Sequence, residues 1–286
     1  MDAYEQAKKS VEHAIKIFIG SNGIIRPHLL LTGKSGSGKT YLAETTAKAN
    51  NLPFMEINGA QLTNEGIAGN SLSKSLVPLK NHGNGLNIVF IDEIDKLFVN
   101  GEDLLAGRET KVGVQNELLK IMESRTTDVI GDYGKYVQVE VSNTLFIFAG
   151  AFNGEEHVTY DFLRSLGIRN EFLGRLGILV NVPKPTLDHI YKTLGSNIVF
   201  NTYCRMYDVD PDVVGKYIMK IIAEFHESNN IGLRIINTLC HHYFMNAGNI
   251  PRGVIESVCS TRPDVLIDIN QKHQEIKPGS MSFIEN

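Results

Sequence analysis

Two patterns of apolar residues occur in the first two thirds of the chain: helical intervals and short continuous runs. Residues 4–19 place Ala7, Val11, Ala14 and Phe18 at helical intervals, which predicts a helix. Short, mostly apolar runs predict strands at residues 28–32, 53–57, 87–91, 143–148 and 178–182. Runs without polar alternation are typical of parallel strands that are buried on both faces. The pattern predicts further helices over 39–49, before Lys80 and over 108–123, and a hairpin over 129–141.

The pattern changes after Pro183 and Pro185. Helical spacing then covers residues 187–201, 211–227 and 233–246, with one further strand predicted at 265–269. Strands that alternate with helices favour a doubly wound α/β domain. We therefore expect a large α/β domain over residues 1–184 and a small, mainly helical lid domain over residues 185–286.

A glycine-rich loop joins the first predicted strand to the second helix. Its residues are Gly33, Lys34, Ser35, Gly36, Ser37, Gly38, Lys39 and Thr40, a full match to G-x-x-x-x-G-K-[ST]. Glycines let backbone N–H groups turn towards phosphates, and the N-terminus of the following helix attracts the same anions. Lys39 is expected to reach the β- and γ-phosphates of ATP, and the Thr40 hydroxyl to ligate Mg²⁺. Tyr41, the next residue, joins these expected nucleotide-binding residues.

A pair of carboxylates follows the apolar strand at residues 88–91. Asp92 and Glu93 end this strand, and successive strand side chains point to opposite sides, so we expect different roles for them. Asp92 fits the acid that holds Mg²⁺, and Glu93 fits the base that activates the attacking water. Asp95 and Lys96 are interpreted as charges at a helix start. The second carboxylate favours an ATPase over a kinase or a switch GTPase.

Composition narrows the classes of partner. The chain has 286 residues, 42% of them hydrophobic, and a net charge of −4. Nothing in this balance indicates a nucleic-acid or membrane partner. Three widely separated cysteines form no CxxC pair, and no apolar run is long enough to span a bilayer. We expect a cytoplasmic protein.

Several segments resemble the ClpX and HslU unfoldases of the AAA+ superfamily, in the same order along the chain. Residues 91–97 (IDEIDKL) resemble their Walker B segment. The other similar segments are 5–9 (EQAKK, beside the adenine), 113–120 (GVQNELLK, after the second pore loop), 145–152 (the sensor-1 strand and its Gly-Ala-Phe) and 167–176 (GIRNEFLGRL, the arginine-finger box).

The resemblance implies two further roles. Arg175 would be the arginine finger that reaches the γ-phosphate held by a neighbouring subunit. Arg234, in Gly232-Leu233-Arg234, would contact phosphate from the lid domain. A register shifted by three residues would instead place Ile231 at that position and leave Arg234 with a structural role. No sensor-1 residue is evident before Asn153.

The resemblance also implies partners, and departures from the family pattern modify them. We expect a homo-oligomeric ring, a hexamer, that acts on a protein substrate. Ile67 and Ala68 stand where the family carries an aromatic grip, and residues 153–166 leave little room for a loop that docks a ClpP-type protease. The expected protein is a minimal form without the zinc-binding N-terminal domain. A DNA-associated AAA+ assembly or loading factor is the alternative.

Overall fold

The computed structural model describes residues 2–63, 70–81, 85–98, 105–130, 135–226, 229 and 231–258. The chain divides into two compact units. The first contains Met1–Lys34 and Lys39–Pro183, and the second contains Ser35–Gly38 and Lys184–Asn286. The predicted strand at 265–269 and the hairpin tip at 131–134 lie outside the described residues, as do Ile67 and Ala68.

A five-stranded parallel sheet forms the centre of the first unit. Its strands are β1 (Leu29–Thr32), β2 (Phe54–Asn58), β5 (Asn87–Asp92), β8 (Thr144–Gly150) and β9 (Ile178–Asn181), in the order β2-β5-β8-β1-β9. Successive side chains enter opposite cores. Leu30, Val89 and Phe148 face one hydrophobic cluster, while Leu29 and Phe90 face the other.

Helices cover both faces of this sheet. One face packs against α1 (Ala3–Gly20) and α2 (Lys39–Ala49), and the other against α4 (Leu105–Glu123), α5 (Tyr160–Ser165) and α6 (Asn170–Arg175). The prediction of a doubly wound α/β fold is therefore confirmed. The predicted hairpin is also present, as the antiparallel pair β6 (Thr126–Ile130) and β7 (Tyr136–Glu140).

Shorter elements complete the first unit. They are the two-residue strands β3 (Leu62–Thr63) and β4 (Asn70–Ser71), the single turn α3 (Leu72–Ser75), and 3₁₀ turns at Gly59–Gln61, Val77–Asn81, Ile94–Leu97 and Phe152–Gly154. The helix predicted before Lys80 is thus only one α turn followed by a 3₁₀ turn. Pro78 lies inside that turn, and a proline restricts the residue before it and donates no backbone hydrogen bond.

Two residues next to β1 tie it to its surroundings. Arg26 donates from Nη1 to the Val141 carbonyl (3.0 Å) and from Nη2 to the Met122 carbonyl (2.9 Å). His28 is buried, with 4% of its surface exposed, and its Nδ1 accepts a hydrogen bond of 3.1 Å from the Phe146 N–H. These contacts fix the start of β1 beside β8, and so fix the origin of the loop that follows.

The second unit is helical. Its helices are α7 (Leu187–Ser196), α8 (Ile198–Met206), α9 (Pro211–Glu224), α10 (Arg234–Met245) and α11 (Arg252–Val258). They enclose a separate core, in which Ile218, Ile222 and Leu239 are fully buried. The single helix predicted over 187–201 is wrong. Asn197 has an extended ψ of 121°, and its side chain accepts from the Phe200 N–H at 2.9 Å, which starts a new helix.

No helix in the described part of the chain is long and apolar enough to cross a membrane.

Candidate functional site

The predicted nucleotide site begins where β1 ends. Because all five strands are parallel, the carboxyl ends of β1, β5 and β8 meet at one edge of the sheet. The loop of residues 33–38 leaves β1 there and runs into α2. Gly33, Gly36 and Gly38 have φ angles of 142°, 73° and 94°, in the region that favours glycine. This backbone can direct successive N–H groups at an anion, as a phosphate requires.

Lys39 is held inside the turn of this loop. It is 8% exposed, and its Nζ donates to the carbonyls of Gly33 (2.7 Å) and Lys34 (3.1 Å). A buried ammonium needs such partners because desolvation is costly. The position places a fixed positive charge at the phosphate loop, as the residue type predicts.

Thr40 and Asp92 are brought together from elements that lie 52 residues apart. The Thr40 Oγ1 donates to the Asp92 Oδ2 at 3.2 Å, and the Asp92 Oδ1 accepts from the Glu93 N–H at 2.8 Å. A hydroxyl beside a carboxylate forms the hard oxygen donor set that Mg²⁺ prefers. The two residues that the sequence assigns to the metal therefore fit such an ion.

The backbone at Glu93 differs from the strand geometry that the sequence predicts. The strand ends at Asp92, so strand alternation does not set the direction of the next side chain. Glu93 instead has a left-handed backbone (φ 54°, ψ 33°) and begins the 3₁₀ turn Ile94–Leu97. Its side chain is exposed, which leaves the carboxylate accessible to solvent. Its assignment as the base stays a prediction.

Glu56 is an acidic residue near this site that the sequence reading missed. Its side chain is exposed, yet its pKa is raised, first because partial burial disfavours the charged form, then because Asp92 and Glu44 are nearby. Asn58 pairs in register with Asp92, so Glu56, two residues earlier, lies on the same face of the sheet as Asp92. The register between β2 and β5 places Glu56 near Asp92. The sequence alone does not give this register, so it could not predict the position of Glu56.

The segment that leaves β8 also borders the phosphate loop. Lys34 Nζ lies 2.6 Å from the Glu156 Oε1, in an ion pair between two exposed side chains. Phe152 and Asn153, between β8 and Glu156, both have positive φ angles, of 46° and 57°. Two consecutive non-glycine residues in this region indicate a strained backbone.

The remaining predicted site residues of the first unit lie on its helices. Arg175 is the last residue of α6, and its Nη2 forms an ion pair of 2.6 Å with the Glu123 Oε1 at the end of α4. Just over half of the arginine side chain is exposed. Tyr41 lies in the first turn of α2 and is 40% exposed. The Arg175 and Tyr41 assignments stay predictions.

The tip of the loop, Ser35–Gly38, groups with the second unit. Within that unit, Arg234 begins α10, and its Nη1 donates to the Ser35 Oγ at 3.3 Å. A Cβ atom at Gly36 would lie 2.1 Å from the Ile231 carbonyl oxygen, so only glycine fits there. The Ser37 hydroxyl is buried and makes no hydrogen bond within the described residues. A buried donor of this kind fits a phosphate oxygen.

A doubly wound parallel sheet, a complete phosphate loop at a helix N-terminus and an acidic strand end define a P-loop ATPase. Residues 29–167 match the model of the family described as "ATPase family associated with various cellular activities (AAA)".

Known proteins that are similar to this chain identify a narrower group within the AAA family. The ATP-dependent Clp protease ATP-binding subunit ClpX of Borrelia duttonii is 33% identical over an alignment of 320 positions, gaps included, that covers 92% of this chain and 75% of that protein. ClpX of Bacteroides thetaiotaomicron is 24% identical over 92% of this chain and 73% of its own length. ClpX of Treponema denticola is 34% identical over 47% of this chain and 36% of its own length. The chain belongs to the ClpX-like AAA+ ATPases: it binds nucleotide and is an ATP-hydrolysing enzyme.

Proposed function

We propose that this chain hydrolyses ATP with Mg²⁺ in a hexameric ring and uses the energy to remodel or unfold a protein partner, without a ClpP-type protease. The observation that carries the proposal is the meeting of Thr40, Asp92 and Glu93 beside Lys39 at one edge of the sheet. Four side chains of the right type for ATP hydrolysis then lie in one place.

The proposed roles follow from charge and position. The loop N–H groups and Lys39 hold the β- and γ-phosphates, and Thr40 and Asp92 would hold Mg²⁺. When bound there, Mg²⁺ would supply charge neutralisation on the phosphate oxygens. Glu93 accepts the proton of the attacking water, and its exposure leaves room for that water.

Arg175 supports a shared site between neighbouring subunits. Its guanidinium is more than half exposed and its ion-pair partner is Glu123, which has no role in the proposed chemistry. An exposed ion pair contributes only about 0–1 kcal/mol, so Arg175 can leave Glu123 for a more strongly charged phosphate. An arginine that enters the site of the next subunit couples hydrolysis to ring assembly.

The protein partner and the lack of a protease are inferred from the relatives and from one short segment. The relatives are named as ATP-binding subunits of an ATP-dependent protease. In this chain, the Asn181 Oδ1 accepts from the Val158 N–H (2.9 Å), and the Asn181 Nδ2 donates to the Val158 carbonyl (3.1 Å). The segment between β8 and α5 is thus short and held against β9, which supports a ring without a docking loop at this position.

Two substitutions test the proposed chemistry. Glu93→Gln keeps the size of the side chain and removes the base, so ATP should still bind while turnover falls at least about a hundredfold. Lys39→Ala removes the charge among the phosphates and should abolish tight ATP binding. Calorimetric titration and a phosphate-release assay measure the two effects. Wild-type turnover in Glu93→Gln would remove Glu93 from the mechanism.

A further inference from the structure

Asp95 is a buried carboxylate without a role in the chemistry described so far. It is 1% exposed and lies in the 3₁₀ turn that Glu93 begins. Its Oδ1 accepts a hydrogen bond of 3.3 Å from the Ala151 N–H, one residue beyond the end of β8. Its Oδ2 is buried and accepts no hydrogen bond within the described residues, while Lys96 Nζ lies 3.8 Å away. A buried carboxylate with so little compensation is costly, so stability alone does not explain it.

The end of β8 is shaped to receive this carboxylate. A Cβ atom added to Gly150 would lie 2.8 Å from the Asp95 Oδ1 and 3.2 Å from the Asp95 Cβ. The distance of 2.8 Å is too short for a side chain to fit without displacing the Asp95 carboxylate, and the Phe152 Cε2 lies equally close. Asp95 therefore packs directly on the β8 backbone, and the absence of a side chain at Gly150 allows the hydrogen bond to Ala151.

This contact lies between two strained segments of backbone. Glu93, two residues before Asp95, has a φ of 54°. Phe152 and Asn153, directly after Ala151, have φ angles of 46° and 57°. Such conformations are unfavourable for residues other than glycine and persist only where the surroundings hold them. The Asp95–Ala151 hydrogen bond can hold both segments, because it joins the turn that follows Glu93 to the residue directly before Phe152.

The same contact links the proposed base to the phosphate loop. The segment that starts at Ala151 continues to Glu156, which pairs with Lys34 of the loop at 2.6 Å. A Cβ atom at Gly154 would lie 3.9 Å from Lys34 Cγ, in ordinary contact. A shift of Ala151 relative to Asp95 would therefore move Glu93 relative to the segment that borders the phosphate loop.

We propose that Asp95 is a positioning residue for ATP hydrolysis: through the Ala151 N–H it fixes Glu93 relative to the segment after β8 and the phosphate loop. The proposal rests on the assignment of Glu93 as the base. Asp95 itself touches neither nucleotide nor water in this role. Its removal should therefore change the rate of hydrolysis and spare the affinity for nucleotide.

The experiment compares Asp95→Ala with Asp95→Asn. Asparagine keeps an oxygen that can accept from the Ala151 N–H. Its amide nitrogen takes the place of Oδ2, which accepts no hydrogen bond within the described residues. Alanine removes the acceptor. We expect kcat of Asp95→Ala to fall about ten- to a hundredfold, the loss that a small misplacement of a catalytic group causes, with ATP affinity changed less than about threefold. Asp95→Asn should retain kcat within about threefold of wild type.

Two controls separate this role from a merely structural one. Val129→Ala truncates a fully buried side chain of the same core in β6, and serves as a destabilised variant with an intact site. If it loses as much thermal stability as Asp95→Ala yet keeps wild-type kcat, general loosening does not explain the result. If instead it loses kcat in proportion to its stability, the proposal is overturned.

Glu93→Gln, assayed in parallel, keeps the two proposals distinguishable. If Glu93→Gln is inactive while Asp95→Ala turns over at the wild-type rate, the positioning role is wrong and the base assignment stands. If Glu93→Gln turns over at the wild-type rate, the assignment of Glu93 as the base is wrong, and the positioning role of Asp95 is wrong with it. Equal losses of kcat in Asp95→Asn and Asp95→Ala would also overturn the role of the hydrogen bond.

Discussion

The burial of His28 makes the stability of the first unit depend on pH. Burial, with a smaller contribution from the nearby Arg26 guanidinium, lowers the pKa of His28 from 6.5 to about 3. The neutral ring is also the form that can accept the Phe146 N–H, because an imidazolium has no acceptor nitrogen. The folded state therefore binds this proton less readily than the unfolded state does.

The size of the effect follows from the two pKa values. A folded pKa below the unfolded one contributes stability that is present above pH 6.5 and is lost as the pH falls towards 3. Each pH unit inside this window changes the free energy of unfolding by about 1.36 kcal/mol. Between pH 7 and pH 5 the chain should thus lose about 2 kcal/mol through His28 alone.

His28→Asn isolates this contribution. The asparagine oxygen can accept the Phe146 N–H but does not titrate, so the variant should be less stable than wild type at pH 7 and closer to it at pH 5. Urea unfolding followed by far-UV circular dichroism measures both chains, which have no tryptophan. Taking the difference between the chains removes the titration of other groups. If the difference in unfolding free energy changes by less than about 0.5 kcal/mol between the two pH values, His28 does not carry the effect.

Two further predictions concern the ring and its partners. Arg175→Ala should keep ATP affinity and lower turnover by about three orders of magnitude, while Glu123→Gln, which frees the arginine without removing it, should stay within about threefold of wild type. Mixing Arg175→Ala with Glu93→Gln subunits should restore part of the activity in the phosphate-release assay; no recovery in mixed rings would contradict a shared site. With a ClpP-type peptidase and a folded, tagged protein, the wild-type ring should produce no peptide fragments, and their appearance would refute the interpretation of residues 153–166.

The fold could be predicted where its cause is local. The loop of residues 33–40 and the strand before Asp92 follow from glycine spacing and from a run of apolar residues. Helical spacing, in contrast, continues through Asn197, where a side-chain cap starts a new helix. Local capping therefore overrides a periodic pattern that extends across it.

The site was less predictable where it depends on strand order. Glu56 faces Asp92 only because β2 pairs with β5 in one register. Asp95 does lie at the start of a short helix, as predicted, but its burial and its contact with Ala151, 56 positions further along the chain, were not predicted. Neither of these two relations can be predicted from the spacing of residues along the chain.

The close approach of Asp95 to Gly150 means that substitutions at positions 95 and 150 depend on each other. A side chain can enter position 150 only if the carboxylate at position 95 and the ring of Phe152 both give way, because a Cβ atom there would lie 2.8 Å from an atom of each. Under the proposed role, a lineage that replaces Asp95 with a residue that cannot accept from the Ala151 N–H passes through an impaired intermediate before position 150 can change. The two positions should therefore change rarely and jointly, although 55 residues separate them in the gene.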